Sequence, residues 1–156
     1  MDAVERREQA ERVAAWTKFV KNVPDWDWTH LLQVIDFQLR RFAKVCASGH
    51  HSDGKKLANQ MQEVRQLIKR VLDDDYLHDE RKEHAKRWGR LDMRDGKSDA
   101  RSTEVFFYYP KAKTAADKRR ADRQEASIHR RWARMRQRDI DKLFSLMARN
   151  LQKWWE

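Results

Sequence analysis

Trp28-Thr29-His30-Leu31-Leu32-Gln33-Val34-Ile35-Asp36-Phe37-Gln38-Leu39-Arg40-Arg41-Phe42-Ala43-Lys44-Val45-Cys46 is the stretch that decides the fold. At about 100° per residue, Trp28, Leu31, Leu32, Ile35, Leu39, Phe42, Ala43 and Cys46 gather within about 120° of arc, the width of a helix face that packs on a core. Asp25 or Asp27 serves as its cap after Pro24, and Ser48-Gly49 ends it, the polar stretch to Gly54 reading as a turn. Leu57, Met61, Val64, Leu67, Ile68, Val71 and Leu72 then share one face of a further helix. The two segments pair as an antiparallel hairpin over about 26–73, the expected core.

Outward from that hairpin, Ala10, Val13, Trp16, Thr17 and Val20 mark one face of a helix from about 3 to 22. Asp73-Asp74-Asp75 suits a helix start better than a helix end, which predicts a short helix from about 75 to 88, closed by Trp88-Gly89. Residues 89–104 are polar, contain Asp95-Gly96-Lys97 and carry no apolar period, so a long polar loop is expected there. Val105-Phe106-Phe107-Tyr108-Tyr109, stopped by Pro110, has strand propensity. With no second strand legible, the run 105–109 is expected to lie extended across the helical core, a small β element being the alternative.

A basic helix over about 113–137 places Ala121, Ile128, Trp132 and Met135 on one side. A C-terminal helix over about 140–155, capped by Asp139, carries Ile140, Leu143, Phe144, Met147, Leu151, Trp154 and Trp155 on another. With only four Gly and two Pro in 156 residues, the composition favours helix throughout. The expectation is all-α: a single compact domain over 1–156 of five or six amphipathic helices, with Trp28, Leu31, Ile35, Ile68, Phe144 and Leu151 in the core.

Charge is unevenly placed. Lys111 to Arg138 holds eleven Lys/Arg against three acids, while the chain as a whole carries a net charge of +10. Arg119, Arg120, Arg123, Arg130, Arg131, Arg134 and Arg138 share an arc away from the apolar side of their helix. Guanidiniums in a row offer bidentate contacts to phosphates, so nucleic acid or an acidic partner is the expected ligand. A merely soluble surface would intersperse acids instead. Trp26 and Trp155 flank the apolar stripes and are candidate aromatic anchors for a base or a partner groove.

The groupings that resemble other chemistry fail on spacing. His50-His51 with Asp53, and His78 with Glu80 and His84, lack ligand geometry, since His78 and His84 stand about 240° apart around a helix. Asp73-Asp74-Asp75 faces three directions, unlike carboxylates converging on a catalytic ion, and helix capping explains it better. No Gly-rich phosphate loop, nucleophile elbow or His-Glu-x-x-His motif accompanies these groups. No enzyme activity, metal or cofactor is expected, and Cys46 reads as a buried inert thiol. One cysteine fits a reducing compartment, and no signal peptide or membrane-spanning run of about 18 apolar residues is legible.

Asp139-Ile140-Asp141, Leu143-Phe144, Met147, Gln152 and Trp154-Trp155 form an ending that resembles a group of uncharacterised bacteriophage and prophage proteins. That group closes on Asp-Ile-Asp-x-Leu-Phe followed by Trp-Trp-Asp, where this chain has Glu156. Trp26, Trp28, Tyr76 and His84 before Trp88-Gly89 extend the likeness over about 26–156. The resemblance implies a phage origin and a bacterial host cytoplasm, and it brings no activity. The expected function is a non-catalytic binding protein that contacts nucleic acid or a nucleoprotein complex through the arginine helix. The alternatives are a protein-directed inhibitor or host-takeover (anti-defence) factor that binds a host complex through the same arginines, and a virion or assembly component.

Overall fold

The computed structural model describes residues 2–22, 27–50, 53–98 and 103–155. The fold is all-α apart from one hairpin: α1 Ala3–Asn22, α2 Trp28–Val45, a π-helical turn Cys46–His50, α3 Gly54–Asp73, α4 His78–Trp88, β1 Asp92–Ser98, β2 Thr103–Tyr108 and α5 Ala115–Trp155. The contacts gather these elements into two compact units. One comprises Met1–Asp73 with Lys142–Glu156, the other Asp74–Asp141.

The first unit is built on α2 and α3. Asp27, in extended backbone geometry, accepts a hydrogen bond from the Thr29 amide and starts α2, satisfying one of the donors that a helix N-terminus leaves unpaired. The start of α3 at Gly54 backs onto the Cys46 carbonyl, and further along the pair Arg65 Nε donates to Asp36 at 2.8 Å. The residue numbers rise on one helix as they fall on the other, so the two are antiparallel, as the sequence predicts. Met61, Val64, Leu67, Ile68 and Val71 of α3 close over Leu32 and Leu39 of α2 and Cys46 of the following turn, all buried. From α5, Leu143 and Trp154 are buried, Trp154 Nε1 donates to Gln60, and Lys142 pairs with Glu63 at 2.8 Å.

The core is narrower than the apolar stripes. Ile68 is buried, but Trp28, Leu31, Phe144 and Leu151 are each about half exposed and Ile35 is only partly covered. The reason is geometric: α2 and the turn that follows it bury a seven-residue repeat, Leu32, Leu39 and Cys46, one seam of a wider apolar arc. The flanks of that arc stay open. Likewise α1 buries no residue fully, and Val13 and Val20 point to solvent. It docks instead through Trp16 and Phe19, whose rings lie 4.8 Å and 4.7 Å from Phe37 of α2.

In the second unit α4 lies antiparallel to the first part of α5. From one end of the pair to the other, Tyr76 donates to Asp139 at 2.8 Å, Trp132 to Asp74 at 3.0 Å, and Trp88 to Gln124 at 2.6 Å. His84, buried, sets Nε2 at 3.2 Å from the Ala121 carbonyl. Trp88, Tyr109 and Ala121 form the buried cluster, with Ala112 against it.

Three expectations are corrected here. The acidic run does not cap α4, which begins at His78 after Leu77 in the left-handed region with no side-chain cap. Asp74 faces Trp132 and Arg136, and Asp75 pairs with His78. The basic and C-terminal helices are one helix of 41 residues. Asp139 does not cap a new one, because neither Gly nor Pro interrupts the chain there and its buried carboxylate is held by the Tyr76 hydroxyl. Lastly, the polar stretch is not all loop: β1 pairs antiparallel with the aromatic run, Asp92 opposite Tyr108, Met93 opposite Phe107, Arg94 opposite Phe106 and Asp95 opposite Val105. The extended aromatic segment is therefore one strand of a hairpin. Its partner is polar enough to escape any propensity reading, and the pairing alone makes it a strand.

Gly89 ends α4 at φ 84°, ψ 164°, a conformation that L side chains avoid, and an added Cβ would stand 2.9 Å from Pro110 Cδ. Gly89→Ala is expected to destabilise the protein by about 1–3 kcal/mol, read as a lower denaturation midpoint. A neutral effect would mean that the chain leaves α4 by another path.

Candidate nucleic-acid interface

Helix α5 opens on a reciprocal cap: Thr114 Oγ1 accepts from the Asp117 amide at 3.0 Å while Asp117 accepts from the Thr114 amide. That fixes the helix start just ahead of Lys118. Ala121, Ile128 and Asp139 are buried, and Trp132 and Met135 are partly covered. These residues hold one side of α5 inward and turn the opposite side to water.

All seven arginines named from the sequence are exposed. At 100° per residue Arg119, Arg123, Arg130 and Arg134 fall within about 60° of one another, and Arg120, Arg131 and Arg138 widen the arc to about 120°. The row Arg119 to Arg134 runs about 22 Å at 1.5 Å per residue. Between Ala115 and Arg138 no acid falls within that arc: Asp117 and Asp122 flank it, about 40° and 60° beyond its edges, and Glu125 lies opposite. Arg131 is committed to a two-pronged pair with Glu80 of α4. Arg119, Arg120, Arg123, Arg130, Arg134 and Arg138 have no hydrogen bond or ion pair among the described residues. Arg136, by contrast, is partly buried and faces Asp74 at 3.4 Å.

The hairpin adds a surface that the sequence reading did not find. Strand alternation puts Phe106 and Tyr108 of β2 on one face with Arg94 of β1, whose guanidinium lies 5.8 Å from the centre of the Tyr108 ring. Tyr108 donates to Asp92 at 3.1 Å, and that bond holds its phenol above the usual tyrosine pKa range. Burial, helped by Glu125 and Asp122, raises the Tyr109 phenol. Tyr109 also lines a depression of about 400 Å³ with Asp122, Glu125, Ala126, His129 and Arg130, so two acids stand between the root of β2 and the arginine row. The alternation of Phe106 and Tyr108 was the available signal, masked by the unrecognised partner strand.

The remaining candidates fall elsewhere. Trp26 lies outside the described residues, and so does the side chain of Trp155. Among the described residues, His78 pairs with Asp75 and His84 is enclosed between α4 and α5, so the two do not come together. No helix among them is long and apolar enough to cross a membrane.

No known protein family, curated protein or solved structure matches the chain. The phage likeness stands on its quoted residues alone, and the functional reading stands on the surface just described.

Proposed function

We propose that the protein is a non-catalytic, phage-encoded binding protein that holds nucleic acid, free or within a nucleoprotein complex, on the arginine row of α5 in the cytoplasm of a bacterial host. One observation carries this reading: six exposed arginines whose side chains have no partner among the described residues stand on an arc of helix free of acids. Guanidiniums that serve stability are paired, as Arg131 and Arg136 are. Those left unpaired in a row raise the local positive potential and make charge-assisted bonds to phosphate oxygens when a polyanion arrives. Backbone phosphate contacts of this kind give affinity without sequence preference.

Combining Arg123→Ala, Arg130→Ala and Arg134→Ala is expected to leave the helical circular dichroism spectrum intact and to weaken binding to a labelled oligonucleotide. On duplex DNA the slope of log affinity against log salt should become shallower by about 0.9 for each phosphate contact removed. A protein captured from bacterial lysate that survives nuclease and depends on the same arginines would instead support the host-takeover reading. Wild-type protein that binds no nucleic acid at low salt would remove the proposed function.

A further inference from the structure

The geometry points to single-stranded nucleic acid as the ligand, its unpaired bases stacking on Phe106 and Tyr108 of the hairpin while the α5 arginines hold its phosphates. This rests on the reading of α5 given above and adds the ligand class.

Phe106 is unusual for a large apolar residue on a two-stranded sheet. It is 44% exposed, yet its ring is seated: a Cβ added at Gly96 would come within 2.5 Å of Phe106 Cε2. One side of the ring thus rests on the bare backbone of the opposite strand, as aromatics do over glycine in sheets. The exposed part of the residue is the surface open to a ligand. Across the ladder stands Arg94, and two residues on is Tyr108, its ring flanked by the Arg94 guanidinium. The face therefore reads ring, cation, ring. Two carboxylates stand beside it: Asp92, which is occupied by the Tyr108 hydroxyl, and the exposed Glu104, two residues before Phe106 on the same face of β2.

Spacing decides between single and double strands. Side chains two apart on a strand are separated by about 6.8 Å. Successive bases within a stacked duplex strand are about 3.4 Å apart and have no free face between them. Rings about 6.8 Å apart fit bases splayed out along an extended strand, which offer a π-face whatever their identity. Positive charge on this face comes from Arg94; the arginine row belongs to the same compact unit, although the depression that Tyr109 shares with Arg130 on the other face is also lined by Asp122 and Glu125. An apolar protein partner would favour the other face of the hairpin, where Met93 and Phe107 are more exposed, at 66% and 57%.

The test compares fluorescence anisotropy of a labelled mixed-sequence oligonucleotide of about 16 nucleotides, a length within the range one small domain covers, with that of its duplex. Wild-type protein is expected to bind the single strand more tightly. Phe106→Leu, which keeps apolar bulk over Gly96 and removes the aromatic face, should weaken single-strand binding by about 5–150-fold, the equivalent of one lost stack. It should change duplex binding little. Phe106→Tyr should recover most of the loss, whereas Phe107→Leu on the opposite face should cost little. If Phe106→Leu binds the single strand as wild type does while the triple arginine variant loses affinity, the stacking surface is overturned and the arginine interface stands. Tighter binding to the duplex overturns it too. If neither oligonucleotide binds wild type, both readings fall.

Discussion

Met61→Ala and Ile68→Ala are each expected to lower the unfolding free energy by about 2–5 kcal/mol, the cost of deleting buried methylenes and leaving a cavity. Met61 is 0% and Ile68 1% exposed, and both sit where α3 closes on α2. The comparison that gives this result its force is with Leu31→Ala and Phe144→Ala. Those residues lie on equally apolar stripes, yet each is about half exposed, so the area returned to water is smaller and little cavity is left. Their cost should stay well below that of the buried pair. Urea denaturation followed by circular dichroism measures all four variants. Equal losses at Phe144 and Ile68 would mean that the flank of α5 is covered in solution, and the narrow core described above would have to be widened.

The second large effect is expected at Trp88. It is buried in a cluster with Tyr109 and Ala121, and its indole donates to Gln124 at 2.6 Å. Trp88→Ala should cost about 3–5 kcal/mol through lost burial and the cavity. Trp88→Phe keeps most of the volume and removes the donor, so it should cost about 1–2 kcal/mol, a value closer to that of one hydrogen bond. The ladder Ala < Phe < wild type in denaturation midpoint separates packing from hydrogen bonding. A Phe variant as damaged as the Ala variant would show that the Gln124 bond dominates.

The helices were legible because their signal is periodic and local: Leu32, Leu39 and Cys46 announce the buried seam of α2 without reference to any partner. What stayed hidden needed a partner. Asp92 to Ser98 has no apolar alternation, and only its pairing with Thr103–Tyr108 makes it a strand. Asp139 looked like a cap because a carboxylate before an apolar run is the usual cue. Its contact with Tyr76, 63 residues away, is not written in the neighbouring sequence. Which residues of a wide apolar arc are covered was equally invisible, since Trp28 and Leu32 differ in what stands opposite them rather than in hydrophobicity. The arginines reached the right side of α5 because charge avoids the buried seam. That two of the chain's arginines, Arg131 and Arg136, are held by Glu80 and Asp74 is a long-range fact again.

The division of the chain has a temporal side. Residues 74–141 are contiguous, so every contact of that unit is available once they have been synthesised. The other unit draws on Met1–Asp73 and on Lys142–Glu156, and its buried Leu143 and Trp154 are made only after the whole of residues 74–141. A nascent chain therefore holds the α2–α3 hairpin with part of its apolar cover missing while the intervening unit emerges and folds. Closing so long a loop costs entropy that only the late contacts offset. The arginine row belongs to the contiguous part, and the core around α2 and α3 is completed only when the end of α5 arrives.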